Sequence, residues 1–262
     1  MRLSCRGCIL HSLERWFPPV NDAPVDAGEH SPFEYCKAPG SYGPFVREMG
    51  GISGKTVLDF GCGWGGESAW LAERGAAHVD GCDISGAALA DAERFGQRRS
   101  LSNLRFARSG PASLPYGDGR FDAVFSTNVF EHVMEPEAML REIRRVLRPG
   151  GSFLSTFGPL FYSPYGGHLS WVTQVPYAHI LFGLKPIIQV RNLKRRPMEA
   201  NSWRDTSLNM LTFGGFRRAV DVAGFECVRL KRIPVKNQRW LAHLPLFGDL
   251  FSFGVDCHLR KR

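Results

Sequence analysis

The sequence predicts an α/β fold with a doubly wound, mostly parallel sheet and an antiparallel last strand. Short apolar runs alternate with helical stretches five times between residues 56 and 157. A glycine-rich turn directly follows the first apolar run. Near the end of the chain, residues 251–260 alternate between apolar and polar with a period of two. Strands that alternate with helices are typical of βαβ units and of a parallel sheet.

The first two repeats frame the glycine turn. Residues 56–60 are a short apolar run, as expected of a buried parallel strand, and a helix is predicted over 67–74, ended by Gly75. A second strand is predicted over 78–82. The helix after it covers 87–98, with Ser85 as its N-cap.

Three more strands complete the alternation. They are predicted over 104–107, 121–126 and 152–157. The helix before the last of them covers 136–147, since Pro136 suits a first helical turn and the Pro-Gly-Gly at 149–151 stops the helix.

The rest of the chain departs from this rhythm. Residues 158–205 show no clear period, and we interpret them as an inserted segment over the working edge of the sheet. A helix over 212–223 and a strand over 225–230 follow. The alternation at 251–260 is expected of a strand with one covered face, and without a clear helix before it an antiparallel strand is the simplest interpretation.

These elements define four regions. Residues 1–50 are a Pro- and Gly-rich lead-in with room for one short helix, and 51–157 form the core. Residues 158–205 are the inserted cap segment, and 206–262 supply the helix and strands that complete the sheet.

Charge is unevenly distributed along the chain. Residues 1–157 hold 17 Lys and Arg against 19 Asp and Glu, whereas residues 158–262 hold 16 against 6. Such asymmetry indicates an acidic partner, a phosphate-bearing substrate or an anionic surface, and a solvated basic face is the alternative.

Cysteine use and hydropathy point to a compartment. The seven cysteines are odd in number and irregularly spaced, so a reducing environment fits better than a disulfide framework. No signal peptide is apparent and no apolar run reaches about 18 residues. We therefore expect a cytoplasmic protein with no transmembrane segment; the oligomeric state stays undetermined.

The glycine turn is a candidate cofactor site. Gly61, Gly63 and Gly66 follow the first strand, and Asp83 ends the second strand, where a carboxylate can accept hydrogen bonds from ribose hydroxyls. This spacing also fits a dinucleotide such as NAD. S-adenosylmethionine (SAM) is favoured because Asp59 lies near the place of a cationic amino-acid head, and because Gly65 beside Gly66 opens more space than a pyrophosphate turn needs.

Several motifs in combination resemble one enzyme family. They are Val57-Leu58-Asp59-Phe60-Gly61-Cys62-Gly63, Gly81-Cys82-Asp83-Ile84-Ser85, Leu114-Pro115-Tyr116, Phe121-Asp122-Ala123-Val124-Phe125-Ser126, Phe130-Glu131-His132-Val133 and Arg145-Val146-Leu147-Arg148-Pro149-Gly150-Gly151. Together, over about residues 55–157, they resemble the type 11 group of class I SAM-dependent methyltransferases, which includes ubiquinone- and menaquinone-pathway enzymes. The resemblance implies a Rossmann-like class I methyltransferase fold, a transferase activity and SAM as cofactor.

The resemblance also implies site residues. Asp59 and the backbone from Gly61 through Cys62 and Gly63 to Gly65 would hold the methionine part of SAM. The remaining implied cofactor contacts are Asp83 at the ribose, Ile84 beside the adenine, and Asn128 at the amino group.

One position departs from the family pattern. Family members often carry an acidic residue four positions before the Leu-Pro pair, and here that position is Gly110. Adenine recognition is therefore expected to rest on Ser109, Ser113 or backbone groups.

The acceptor pocket is expected in the inserted segment, with His132 of the core at its edge or as a structural cap. Tyr162 and Tyr165 would shape the pocket, and His168 is the candidate base for an oxygen acceptor, unless it is structural. The expected acceptor is a small or lipid-linked molecule that carries negative charge.

Other functions stay open at this point. A nucleic-acid methyltransferase or binder would suit the basic end, but no Lys/Arg stripe interleaved with aromatic residues is present. A non-catalytic SAM-binding protein and a nicotinamide dehydrogenase are further alternatives. Cys5, Cys8 and His11 could clip a metal, but no fourth ligand is evident, and we predict none. Ile180 to Leu184, with the basic cluster Arg191, Lys194, Arg195 and Arg196, could touch a membrane surface or be packed core beside a basic loop.

Overall fold

A seven-stranded mixed sheet forms the frame of the protein, in the strand order β3-β2-β1-β4-β5-β7-β6. The structure is a computed structural model and describes residues 3–13, 16, 40–168, 173–194, 199–235, 241–244 and 247–262. The strands are β1 Thr56–Phe60, β2 His78–Asp83, β3 Leu104–Arg108, β4 Phe121–Thr127, β5 Leu147–Phe157, β6 Glu226–Pro234 and β7 Ser252–Arg260. This is the doubly wound, mostly parallel α/β fold that the sequence predicts.

Eight α-helices accompany the strands in the described part of the chain. They are α1 Cys5–Leu13, α2 Gly43–Glu48, α3 Gly66–Glu73, α4 Gly86–Arg98, α5 Pro136–Val146, α6 Ala178–Leu181, α7 Leu184–Lys194 and α8 Phe213–Ala223. Ser85 caps α4 as predicted, since its hydroxyl accepts a hydrogen bond from the Ala88 N–H. Among the described residues, short 3₁₀ turns lie at Phe130–His132, Trp203–Thr206, Leu241–His243 and Gly248–Phe251.

The direction of each strand follows from its pairing. β1 pairs in parallel with β2 and β4, and β3 and β5 extend the parallel sheet on either side. β7 runs the other way: the Gly150 N–H donates to the Lys261 carbonyl, whereas Ser152, further along β5, meets His258, which comes earlier in β7. The antiparallel final strand predicted from the sequence is therefore confirmed.

The chain divides into two compact units. One comprises residues 26–157, 217–231 and 256–262, which we call the sheet unit. Its core packs apolar residues of α2 and α3 against the strands, among them Phe45, Leu71, Val79 and Phe125. The other, which we call the helical unit, comprises residues 1–25, 158–216 and 232–255. Its core gathers Leu10, Val175, Ala178, Ile187 and Val190 between α1, α6 and α7.

Ionic contacts fix the end of α2 within the sheet unit. Glu48 pairs with Arg229 of β6 and accepts a hydrogen bond from Nδ1 of His258 at 2.8 Å. Nε2 of His258 lies 3.0 Å from the Ser152 hydroxyl, and Arg229 also holds Asp256 through two hydrogen bonds. We call these contacts the Glu48 clasp, because they tie a segment that precedes β1 to strands from the end of the chain.

The structure differs from expectation in three places. The lead-in contains two helices, α1 and α2, where the sequence suggested room for one. The inserted segment contains α6 and α7, whose periodicity is masked in the sequence by Gly183 and Pro186. The alternation in β7 does not give one covered face: Phe253 is exposed, while His258 is buried because Glu48 and Ser152 satisfy its ring.

Helix length and polarity bear on membrane insertion. Within the described ranges, no helix combines the length and the apolar character needed to cross a bilayer.

Candidate cofactor site

The glycine turn between β1 and α3 is held tightly to its neighbours. The N–H groups of Gly61 and Cys62 both donate to the carbonyl of Cys82, at 2.8 and 3.0 Å. Gly61 has a φ of +75°, and a Cβ on it would lie 2.3 Å from a methyl group of Val129. Only glycine satisfies both constraints, so the backbone of the turn can pass this close to the loop after β4.

Gly65 has a different role from the one predicted. Its φ is +80°, and a Cβ on it would lie 2.7 Å from the Phe106 ring and 2.9 Å from Ala92. The residue therefore lets α3 pack closely on its neighbours, and the prediction that it opens space for a ligand is wrong. Gly63, by contrast, faces open space, because a Cβ on it would meet no atom within 4 Å.

A cleft with a cavity volume of about 180 Å³ opens beside this turn. It lies wholly in the sheet unit and is lined by Tyr42, Asp59, Gly61, Cys62, Gly63, Trp64, Gly66, Glu67, Thr127 and Asn128. The structure thus brings together five of the predicted cofactor contacts, which are Asp59, Gly61, Cys62, Gly63 and Asn128. The other four are not part of this lining: Gly65, Asp83, Ile84 and Ser109.

Asp59 forms the floor of the cleft and is buried. The Tyr42 hydroxyl donates to its Oδ1 at 2.5 Å, and the Ser68 hydroxyl donates to its Oδ2 at 2.5 Å. Burial, followed by the charge of Asp59, raises the pKa of Tyr42 well above its ordinary value. The phenol therefore stays protonated and keeps donating to the carboxylate.

Asp83 supports the turn from the end of β2. Its Oδ2 accepts from the Gly63 N–H at 2.9 Å, and its Oδ1 accepts from the Ser85 N–H at 2.8 Å. A carboxylate has about four acceptor sites, so each oxygen can still accept a further hydrogen bond. The arrangement suits a group with two adjacent hydroxyls, such as a ribose.

Glu67 is a second acidic group in the cleft that the sequence analysis missed. It lies in the first turn of α3, and its carboxylate accepts hydrogen bonds from the N–H groups of Gly40 and Ser41. An acidic residue in a first helical turn is a common stabilising feature. Its place in the first helical turn is the only feature of Glu67 that the sequence reveals. The sequence around it does not indicate its hydrogen-bond partners, which lie 26 and 27 residues earlier.

The loop after β3 carries the predicted adenine contacts. The Ser109 N–H donates to the Asp83 carbonyl at 3.0 Å. Ile84, the residue that follows Asp83, has an exposed side chain. A Cβ at Gly110 would lie 2.3 Å from the Ser113 hydroxyl, so in this conformation Ser113 fills the space that an acidic side chain would need. The departure from the family pattern at this position therefore has a local packing reason.

Helix α5 holds the same loop from the other side. Arg145 donates to the carbonyls of Tyr116 and Leu114, and Glu142 accepts from the Leu114 N–H at 2.9 Å. Arg145 also donates to Glu142 and, by this hydrogen bond, lowers the pKa of that carboxyl below its usual value. Two motifs of the sequence analysis, the Leu-Pro-Tyr and the Arg145 segment, thus form one clamp.

Three further groups border the predicted cofactor site. Asn128 has a φ of +51° and donates its N–H to the Thr156 carbonyl at 2.8 Å. His132 is exposed at the end of the Phe130–His132 turn. Burial, followed by the charge of Asp59, raises the pKa of the Cys62 thiol, which makes this cysteine a poor nucleophile.

Three of the four predicted acceptor residues share one loop of the helical unit, namely Tyr162, Tyr165 and His168, whereas His132 belongs to the sheet unit. The His168 N–H donates to the Tyr165 carbonyl at 3.0 Å, with His168 at a φ of +51°, and the side chains of Tyr162 and Tyr165 are exposed. Of the predicted basic cluster, Arg191 and Lys194 lie on α7, whereas Arg195 and Arg196 lie outside the described residues. Cys5 and Cys8 are exposed free thiols on α1.

Known proteins share the central region of this sequence. Residues 58–155 match the family described as "Methyltransferase domain", type 11. The chain is 39% identical over 117 residues to a ubiquinone biosynthesis O-methyltransferase of Pseudomonas paraeruginosa, covering 43% of this chain and 48% of that enzyme. It is 37% identical over 109 residues to the sterol 24-C-methyltransferase ERG6B of Gibberella zeae, covering 41% of this chain and 29% of that enzyme. The chain spans less than half the length of either relative.

A solved structure extends the likeness in fold beyond the matched region. A geranyl diphosphate methyltransferase in complex with SAM has a TM-score of 0.57 and covers 84% of each chain, at 16% sequence identity. At this identity, the likeness concerns the fold alone.

Proposed function

Residues 58–155 belong to the type 11 family of class I SAM-dependent methyltransferase domains, and from that premise we propose that the protein transfers a methyl group from SAM to a small or lipid-linked acceptor. The reaction is an in-line displacement at the sulfonium carbon. SAM supplies the reactive methyl group, so the protein has to supply orientation and a dry cavity. One observation carries the proposal: Asp59, the glycine turn and Asn128 line a single cleft.

The charge of the cleft favours SAM over a dinucleotide. The carboxylates of Asp59 and Glu67 line it, and none of the lining residues that the structure describes is a Lys or an Arg. SAM presents a sulfonium and an ammonium group, which opposite charges stabilise. The pyrophosphate of NAD would instead meet two carboxylates with no basic side chain to offset them.

The cofactor assignment has a direct test. Calorimetry should detect binding of SAM and S-adenosylhomocysteine, and no binding of NAD. Binding of NAD alone would replace the proposal with a dehydrogenase. Binding of SAM with no transfer to a broad panel of acceptors would favour a non-catalytic SAM-binding protein.

We propose an anionic acceptor that is methylated at oxygen. The relatives are named for reactions at oxygen and at carbon, so their names leave the atom open. The charge asymmetry supports an anionic acceptor, since residues 158–262 hold 16 Lys and Arg against 6 Asp and Glu. A positive potential raises the local concentration of such a molecule, and turnover should fall as salt shortens the Debye length. Turnover that does not change with salt would reject an anionic acceptor.

Within that proposal, His168 takes the acceptor proton and Tyr162 and Tyr165 shape the pocket. A neutral histidine is the base, so activity should rise through about pH 6–7. Once an acceptor has been found, the pH profile of turnover should be compared for the wild type and His168→Ala. An unaltered profile in His168→Ala would reject the role of base and leave proximity as the main contribution to the rate.

A further inference from the structure

The helices of the helical unit expose several large apolar side chains. Gly7 and Leu10 of α1 are buried against Ile187 and Val190 of α7, and the Ser4 hydroxyl donates to Gln189 at 2.7 Å. The core of this helix pair is therefore complete without its outward-facing residues.

The outward surface is nonetheless apolar. Ile9 of α1 is 55% exposed, Leu181 of α6 is 64% exposed and Leu193 of α7 is 47% exposed. Trp16, after α1, and Ile180 are exposed as well. Burying each of these side chains would release apolar area from water, which contributes roughly 25 cal/mol per Å². The helices that carry these side chains are neighbours, since α1 and α6 each contact α7. An apolar patch shared by neighbouring helices is typical of an interaction surface.

Basic residues accompany these apolar ones on the same helices. Arg6 is exposed three residues before Ile9, and Lys185 is exposed on α7. The helical unit holds 12 Lys and Arg against 5 Asp and Glu, whereas the sheet unit holds 21 against 20. The unit that exposes the apolar side chains thus carries +7 of the net charge of +8.

We propose that the outer surface of α1, α6 and α7 docks onto a bilayer that contains anionic lipids. Aliphatic and tryptophan side chains enter the boundary between headgroups and acyl chains, while Arg6 and Lys185 meet lipid phosphates, the pattern of interfacial helices. A nucleic acid would satisfy the charge but not the apolar side chains. The proposal extends the proposed function, because a lipid-linked acceptor would be met at this surface. Docking itself requires neither SAM nor transfer, so the two can fail separately.

The test is sedimentation of the full chain with vesicles, without SAM or acceptor. Binding is expected with phosphatidylcholine vesicles that contain phosphatidylglycerol, much weaker binding with phosphatidylcholine alone, and a decrease with salt. The double variant Ile9→Ser with Leu181→Ser should bind about tenfold more weakly. Lys185→Gln should bind about fivefold more weakly, from the contribution of about one basic residue near an anionic surface.

Matched controls come from the sheet unit. Val222→Ser and Val228→Ser change side chains that are 54% and 45% exposed there, and should leave vesicle binding unchanged. All variants should unfold at the wild-type temperature, because the changed side chains are exposed. Soluble glycerol phosphate should not compete, since a free phosphate lacks the acyl boundary.

Three results would overturn the proposal. The first is equal binding by Ile9→Ser with Leu181→Ser and by the two valine controls. The second is release of the protein by glycerol phosphate, which would show a phosphate site in place of a bilayer surface. The third is a dimer in the absence of vesicles that Leu181→Ser dissociates, since the surface would then be an interface between two copies of this chain.

Discussion

The Tyr42 hydroxyl donates a 2.5 Å hydrogen bond to Asp59, and through it a segment that precedes β1 forms part of the cofactor cleft. Residues 40–48 make two further contacts of this kind. The N–H groups of Gly40 and Ser41 satisfy Glu67, and Glu48 is held by the clasp at the end of α2. The acidic groups of the cleft are therefore positioned by residues outside the glycine turn.

Tyr42→Phe should destabilise the protein and weaken SAM binding. The change removes the hydrogen bond from Tyr42 to the buried Asp59 carboxylate, and losing a hydrogen bond to a buried charged group costs about 1–3 kcal/mol. Urea unfolding measures the free energy, and calorimetry measures SAM affinity. Tyr165→Phe, at an exposed tyrosine, is the control and should change neither the unfolding free energy nor the affinity for SAM.

The same residue predicts how stability changes at high pH. In the unfolded chain Tyr42 ionises near its ordinary value of 10.0, whereas in the folded protein its pKa is raised well above that value. The folded state then binds more protons, so the stability contributed by Tyr42 is complete below pH 10 and is lost as the pH rises beyond it. In Tyr42→Phe the unfolding free energy should fall less steeply with pH above pH 10, by up to about 1.4 kcal/mol per pH unit. Identical slopes would show that Tyr42 ionises normally.

A comparison of Gly61→Ala with Gly63→Ala separates the cost of backbone strain from the cost of a steric clash with a neighbouring side chain. Both residues have positive φ, +75° and +52°, so each alanine costs about 1–2 kcal/mol of strain. Only the alanine at 61 would also meet Val129. We expect Gly61→Ala to be clearly the more destabilising in urea unfolding and to abolish SAM binding. Adding Val129→Ala should restore part of the unfolding free energy that Gly61→Ala loses. If it restores none, the collision with Val129 is not the cause of the loss.

Asp83→Ala should weaken SAM binding about 30- to 1000-fold, the equivalent of two charge-assisted hydrogen bonds. Part of this loss will come from the glycine turn, because Asp83 also accepts from the Gly63 N–H. Asp83→Asn keeps one acceptor and should lose less. Calorimetry on variants that unfold like the wild type measures the effect, with Asp91→Ala on the surface of α4 as the control. Unchanged affinity in Asp83→Ala would exclude Asp83 as the ribose ligand.

Glu48→Gln should weaken the clasp in a pH-dependent way. The hydrogen bond from Arg229 is the main cause that lowers the pKa of Glu48 below its ordinary value of 4.5. The stability from its charge is therefore complete above pH 4.5 and is lost as the pH falls further. The wild type and Glu48→Gln should differ most at neutral pH and converge in acid, as followed by thermal unfolding. Glu226→Gln, whose partner Arg262 is exposed, should follow the wild type throughout.

Local signals in the sequence predicted the repeating part of the fold well. Short apolar runs marked the buried strands, Ser85 marked the start of α4, and Pro136 marked the start of α5, because each signal depends on a few adjacent residues. The glycine turn and Asp59 were located in the same way. Helix α2 was missed because it has only six residues and too few to show a period.

Contacts distant in sequence could not be predicted from one chain. Tyr42 and Ser68 reach Asp59 from 17 residues before it and 9 residues after it, and His258 reaches Glu48 across 210 residues. Nothing in the local pattern at these positions specifies a partner. The role of Gly65 was misjudged for the same reason, since Phe106 and Ala92 approach it through the fold.

The place of residues 40–48 has a practical consequence for how this protein is shortened and compared. A chain trimmed to the family boundaries at 58–155 would retain Asp59 and Glu67 but would lose the phenol and the two amides that satisfy them. Its cofactor cleft would contain two acids with missing donors, so poor SAM binding by such a fragment would say little about the whole protein. The family match begins at residue 58, so one wall of this cleft is set by residues outside the matched region.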